Sequence, residues 1–288
     1  MESLEFGHVS TSSFVLMVIG AFIAIVVPIV IAIVWCRKKK EPFTTVLIGA
    51  AAFMLFAVMI EKTIQNALIL PEQMGLPETA VSTFIIARPF LLAFLFGLFP
   101  GVFEETGRLI AFKTVLRRRT QRETSISYGL GHGGVEVVFV IGITLISYIV
   151  LGMLTNSGEA MKELETAMAK LDSPWMIKQV TDQMNQIANF NLTAFCSVMI
   201  ERVFAVLFHV GTSILVFYAC RDKKKFWLYP LAIVIHTLVD GIAALQIVQA
   251  VEIPTIAIEI IFIVTSIATF LGSYLLLYKR DKTKEIGT

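Results

Sequence analysis

The sequence predicts an all-α, polytopic transmembrane helical bundle with about seven spans. Three observations carry that expectation. The 288 residues are 56% hydrophobic and only 16% charged, against about 25% charged in an ordinary soluble domain. Seven apolar runs are each long enough to cross a bilayer, which takes roughly 20 residues. Four basic clusters fall after alternate runs, as they must if one side of the membrane carries them all. This composition excludes a soluble globular protein and a disordered one, and the net charge of +2 gives no reason to expect nucleic acid.

The runs are residues 13–36, 43–68, 80–116, 124–154, 193–220, 226–249 and 256–278. The third is too long for one straight span. It contains Pro89 and the pair Pro100-Gly101, so a kink or break is expected there. The clusters at 37–40, 113–122, 221–225 and 279–284 hold 17 of the 24 Lys and Arg. Basic loops stay cytoplasmic, which predicts the N-terminus outside and the C-terminus cytoplasmic. The first run is preceded by Glu2 and Glu5 rather than a basic stretch and is followed by Arg-Lys-Lys-Lys, an anchor rather than a secretory signal. Trp35, Trp227 and Tyr229 sit near predicted interfaces and suit an aromatic belt.

The chain reads as a single membrane domain, 1–288, with one sizeable exterior segment at 155–192. In that segment Asp172-Ser173-Pro174 is a helix start. Ile177, Val180, Met184 and Ile187 then recur at helical spacing, as in an amphipathic surface helix. A connecting role is the simpler reading; a lid over a site entrance is the sharper one. Asn191-Leu192-Thr193 matches a glycosylation acceptor but lies at the membrane edge. Cys36, Cys196 and Cys220 show no metal-ligand spacing. Cys36 and Cys220 lie beside basic clusters, where acylation is one reading and an inert thiol the simpler one.

Ionisable residues inside spans are costly and point to function. Of four histidines, three lie in spans: His132, His209 and His236. So do the adjacent acids Glu104 and Glu105. Counted from the basic edges, these residues are 8 to 12 positions deep on four different runs, or roughly 12–18 Å at 1.5 Å per residue. They therefore share one level. Arg108 is one turn from both glutamates and can neutralise or orient one of them. Glu136 follows His132, and Asp240 follows His236, at i+4, where a carboxylate can fix an imidazole tautomer. His209 has only Ser213 at that spacing. Gly129, Gly131, Gly133 and Gly134 surround His132 and permit close approach of either a neighbouring helix or a substrate strand. Glu61-Lys62, Arg88 and Glu201-Arg202 lie nearer the other face and read as snorkelling or local pairs.

The motifs resemble a known family. Glu-Glu-Thr-Gly-Arg at 104–108 is similar to the EExxR motif of the CAAX-protease and bacteriocin-processing superfamily, and His-Thr-Leu-Val-Asp at 236–240 resembles its closing HxxxN/D motif. The ordered set, with Gly-His-Gly-Gly around His132 and the lone His209 between, most resembles the YhfC family of intramembrane metalloproteases. That resemblance implies a multi-helix peptidase cutting membrane-associated protein or peptide substrates, in a bacterial cytoplasmic membrane. It implies Glu104 and Glu105 as the paired glutamates, one of which activates water, and Arg108 as the motif arginine. His132 with Glu136 stands where relatives carry an aromatic followed by His or Glu; the aromatic is replaced by His132, which leaves either His132 or Glu136 as the working residue. His236 and Asp240 match the closing motif, with Asp where prenyl endopeptidases carry Asn, which leaves the substrate open.

Hydrolysis needs an activated water and a stabilised oxyanion. Glu104 and Glu105 are the expected base and acid. His132, His209 and His236 either ligate a divalent metal, zinc first, or donate hydrogen bonds to the oxyanion without one. Two other classes fit the same polar residues: a catalytically silent scaffold glued by polar contacts, and a proton-linked transporter.

Overall fold

The computed structural model describes residues 7–158 and 174–281, and every regular element among them is helical. We label the helices α1 (Thr11–Lys39), α2 (Thr44–Ile69), α3 (Ala80–Ile86), α4 (Pro89–Lys113), α5 (Glu123–Ser157), α6 (Pro174–Ala188), α7 (Leu192–Arg221), α8 (Leu228–Ile247) and α9 (Thr255–Tyr278). Seven of these (α1, α2, α4, α5, α7, α8 and α9) are long and apolar enough to cross a membrane. Six of them fall within a few residues of the runs read from the sequence, and the third run, 80–116, is divided between α3 and α4.

The third run breaks where proline dictates. Arg88 is extended, with φ −127° and ψ 86°, because a residue before proline is driven out of the helical region. Pro89 then opens α4 at a position where its missing N–H costs nothing. Pro100 behaves differently. It lies inside α4 with helical residues on both sides, so the break is at Pro89 alone. The short α3 starts on a capping box: Ser82 N–H donates to Thr79 Oγ1 (3.0 Å), and Thr79 N–H donates to Ser82 Oγ (2.9 Å).

The described chain forms two compact units. One comprises Met1–Ile29 with Val137–Arg202, the other Val30–Glu136 with Val203–Thr288. In the first, Val9, Met17, Ala21 and Leu145 form an apolar core with Met184, Ile187 and Phe190. Met184 and Ile187 thus turn the apolar face of α6 onto protein. Asp172 and Ser173 lie outside the described residues.

The second unit holds the basic clusters, and its loops are tied together at one end. Arg122 donates to the carbonyls of Tyr278 (3.1 Å) and Asp281 (2.8 Å), and Arg119 donates to Thr44 and Thr45. Trp35 Nε1–H donates to Ser127 (3.0 Å). We call this the basic end.

Glycines set the helix spacing in this unit. Gly97 and Gly101, one turn apart on α4, face Thr237 and Gly241, one turn apart on α8. A Cβ on Gly97 would sit 2.4 Å from the Thr237 carbonyl oxygen, and one on Gly101 2.4 Å from Thr237 Oγ1. Two small-residue ridges therefore seat α4 against α8 at backbone distance. The glycines around His132 serve the same purpose: Gly129 and Gly133 pack on α7, and Gly131 on the Val46 carbonyl of α2. Helix packing accounts for Gly129, Gly131 and Gly133. A Cβ on Gly131 would meet the Val46 oxygen at 1.9 Å, whereas one on Gly272 would meet nothing within 4 Å. Gly131→Ala is expected to cost about 1–3 kcal/mol, read as a lower Tm in detergent. Gly272→Ala, in an open helix interior, should hold or raise Tm.

Candidate functional site

The ridge that fixes α4 against α8 ends one turn short of Glu104 and Glu105, so both carboxylates are delivered to the level of His236. The glycine faces of α5 bring His132 to the same level beside His209 of α7. Glu104, Glu105, Arg108, His132, His209 and His236 are all buried. The three imidazoles are neighbours, with ring centroids 5.0 Å apart for His132–His209 and 5.6 Å for His209–His236. Aromatic walls hold them. Phe208 sets its edge against His209 and His236, and Phe53 sets its edge against His132.

Glu104 stands at the centre. Its Oε2 is 2.8 Å from His132 Nε2, 3.9 Å from His209 Nδ1, 4.0 Å from His236 Nε2 and 3.7 Å from Arg108 Nη2. All of these contacts use Oε2; Oε1 makes none of them.

Glu105 is differently engaged. Its Oε1 accepts from Arg108 Nη1 in a short ion pair and from His236 Nδ1 at 2.8 Å. Since an ionised carboxylate only accepts, the His236 Nδ1 carries the proton. Its Nε2 then points toward Glu104 and, at 3.4 Å, toward Asp240 Oδ2. Arg108 also fixes a tautomer. Its Nη2 lies 2.5 Å from His209 Nδ1, and guanidinium can only donate. His209 Nδ1 is therefore an acceptor, and its Nε2 stands in a short ion-pair contact with Glu136 Oε2.

All eight residues singled out in the sequence lie in this one network, but some partners differ from helical spacing. Glu136 pairs with His209 on another helix, not with His132 one turn away, because His132 turns to Glu104. Ser213 makes no hydrogen bond to His209; its buried hydroxyl has no hydrogen-bond partner among the described residues. Arg108 reaches both glutamates and is closer to Glu105.

Two residues that bear on the site carried little or no weight in the sequence. Tyr128, one turn before His132, stacks on it with centroids 6.1 Å apart, and its buried hydroxyl has no hydrogen-bond partner among the described residues. The aromatic one turn before the histidine is therefore present, so the reading that His132 replaces it is corrected. The Tyr-x-x-x-His spacing was the signal. Glu61 is buried on α2, paired at 3.0 Å with the exposed ammonium of Lys62, and lies within electrostatic reach of His236 and Asp240. Its acid-base doublet looks like any snorkelling pair, and no spacing rule separates it from one.

The donor chemistry suits a metal. Glu104, His132 and His209 each offer one ligand atom, and the three atoms lie within 4.8 Å of one another. Two imidazoles and one glutamate are a familiar zinc set. The sequence pointed to three histidines; the compact group has Glu104 in place of His236. Cys36 is buried and Cys220 half-buried, its thiol facing the Leu109 carbonyl at 3.9 Å, so Cys36 presents no surface for acylation.

No solved structure matches the chain. A membrane protein of Bacillus subtilis (strain 168), the uncharacterized YhfC, is 26% identical over 238 residues, which cover 82% of this chain and 86% of that protein. The family model for the YhfC intramembrane metalloprotease matches residues 23–262, a stretch that contains every residue of the network. The chain is a multi-pass membrane protein and belongs to the YhfC intramembrane metalloprotease family.

Proposed function

We propose that this protein is an intramembrane endopeptidase that hydrolyses peptide bonds of membrane-associated proteins or peptides, with water activated at Glu104. The observation that carries the reading is the position of Glu104 Oε2, buried within a span and surrounded by nitrogens of three imidazoles. A scaffold needs helix contacts, but it has no need to focus three proton-exchanging rings on one carboxylate.

Each residue then has a task. Glu104 accepts the proton of the attacking water, since its Oε1 makes none of the contacts that engage Oε2. Glu105 is occupied by Arg108 and His236 and acts by holding both. This is a positioning role rather than the acid role expected from the motif alone. His236, its Nδ1–H held by Glu105, presents Nε2 toward Glu104; that nitrogen takes from Glu104 the proton removed from the water and delivers it to the leaving nitrogen as the C–N bond breaks. His132, His209 and Glu104 would hold a divalent metal, which when bound supplies Lewis-acid polarisation and a more acidic water. Arg108 donates to His209 Nδ1, the nitrogen 3.9 Å from Glu104 Oε2, so a metal held through that nitrogen would displace the Arg108–His209 hydrogen bond. Substrate approaches past Glu136 and Asp240. Their side chains are 15% and 37% exposed against 8% or less for the inner six, and both lie one turn farther from the basic end.

The test is the metal content of purified protein together with cleavage of a membrane-tethered reporter in proteoliposomes, for wild type, His132→Ala and His209→Ala. Near-stoichiometric metal and cleavage in wild type, both lost in each variant, are expected. Variants that keep their metal would remove the two histidines from the ligand set. A metal-loaded wild type that cleaves no reporter would count against the protease reading.

A further inference from the structure

Away from the polar network, at the basic end, the turn between α1 and α2 borders an open groove of about 600 Å³ lined by Ile33, Cys36, Arg37, Lys40, Glu41 and Phe43, among others. Its shape follows from how α1 ends. Lys40 adopts the left-handed conformation, φ 55°, and Glu41 N–H reaches back to the Cys36 carbonyl at 3.0 Å, the geometry of a Schellman-type stop. This stop turns Glu41 inward. The Glu41 carboxylate is buried and accepts from Thr124 (3.3 Å) and Thr45 (3.5 Å). Arg37 and Lys40 are left outward on the rim, both exposed.

Several of their basic neighbours are tied to the protein. Lys39 lies over the Trp35 ring, Arg119 donates to Thr44 and Thr45, and Arg122 donates to the carbonyls of Tyr278 and Asp281. Arg37 and Lys40 make no hydrogen bond, ion pair or ring contact among the described residues. Below the rim the walls are apolar and stay exposed. Val30, Ile33 and Arg37 share one face of α1, and Phe43 and Leu47 share one face of α2, with Leu47 55% and Val30 49% exposed. Two cations thus stand on the rim of a groove lined by Ile33 and Phe43, with exposed Val30 and Leu47 one turn farther along their helices.

We propose that this groove binds one anionic phospholipid, its phosphate between Arg37 and Lys40 and an acyl chain along the stripes of α1 and α2. Charge complementarity selects the headgroup: the groove's acid is spent on two threonines, and a basic pocket at a helix edge suits an anionic lipid. The apolar stripes select a lipid over a free phosphate. The site is independent of the protease reading, since none of its residues belongs to the buried network.

The experiment is native mass spectrometry of the full-length protein released from nanodiscs of phosphatidylglycerol and phosphatidylcholine, wild type beside R37Q/K40Q. Wild type is expected to retain one phosphatidylglycerol in preference to phosphatidylcholine. The double variant, with unchanged Tm, should lose that preference about tenfold or more. An E72Q/E78Q control on the α2–α4 connection should behave as wild type. Equal retention by wild type and R37Q/K40Q, or no headgroup preference in wild type, would overturn the proposal. So would displacement of the lipid by millimolar inorganic phosphate, which would mark the groove as a simple anion site. Because wild type and R37Q/K40Q are both read without a cleavage assay, failure here leaves the protease reading where it stands.

Discussion

Glu104→Gln is expected to lower reporter cleavage by about 10²–10⁴-fold, the usual contribution of a positioned general base, with little change in expression, insertion or Tm. Glutamine has the same shape and keeps an oxygen to face His132 Nε2, now 2.8 Å from the carboxylate. Arg108 is not stranded by the change, because its shorter ion pair is with Glu105. The variant therefore removes charge and basicity at the centre of the three imidazoles, and with them the anionic ligand a metal would use there, so rates are compared at equal metal content. The measurement is a single-turnover rate in proteoliposomes for wild type and variant at matched metal loading. A Glu104→Gln protein that cleaves at the wild-type rate would remove Glu104 from the chemistry.

The same comparison separates the protease from its two rivals. A scaffold has no rate to lose, and a proton-linked transporter would show the defect as flux across the vesicle membrane with no cleavage in either protein. Glu105→Gln gives a second contrast. Glu105 holds both Arg108 and His236, so its loss should lower Tm and activity together, whereas Glu104→Gln should lower activity alone.

Much of this arrangement could be read in the chain before folding. Helix periodicity and the basic clusters place Glu104, His132, His209 and His236 at one depth, because rise per residue converts sequence distance directly into height. Height says nothing about azimuth. Which faces of α4, α5, α7 and α8 meet is decided by Gly97, Gly101, Gly129, Gly131 and Gly133 against backbone atoms of their neighbours, contacts between residues up to about 140 positions apart. For that reason the partners Glu136–His209, Arg108–His209 and Glu105–His236 were not predictable from i, i+4 spacing. The break of the third run at Pro89 rather than Pro100 has a similar origin. Both prolines lack an N–H, but only at Pro89 does the preceding residue leave the helical region. Tyr128 was legible, because its spacing to His132 is local to one helix turn.

Arg108→Met is expected to be the most destabilising substitution in the protein, about 3–5 kcal/mol, the penalty for breaking a buried ion pair from one side. Arg108 is fully buried and is the cation shared by Glu105, Glu104 and His209. Methionine fills most of its volume, so the loss is electrostatic: Glu105 keeps its charge in a medium of low dielectric, with His236 as its remaining partner. His209 also loses the donor that fixes its tautomer. Arg108→Lys should not rescue this, because a single ammonium cannot reach two glutamates and an imidazole in the fixed fork that guanidinium provides. The measurement is thermal unfolding in detergent together with yield of inserted protein for wild type, Arg108→Met, Arg108→Lys and the double variant Arg108→Met/Glu105→Gln. Neutralising Glu105 alongside Arg108 should restore part of the lost Tm, as expected when the stranded charge, rather than the missing side chain, is the cost. If Arg108→Met is as stable as wild type, or if the double variant is less stable than both single ones, Arg108 is not the electrostatic centre of the fold, and the alignment of His236 and His209 must rest on helix packing alone.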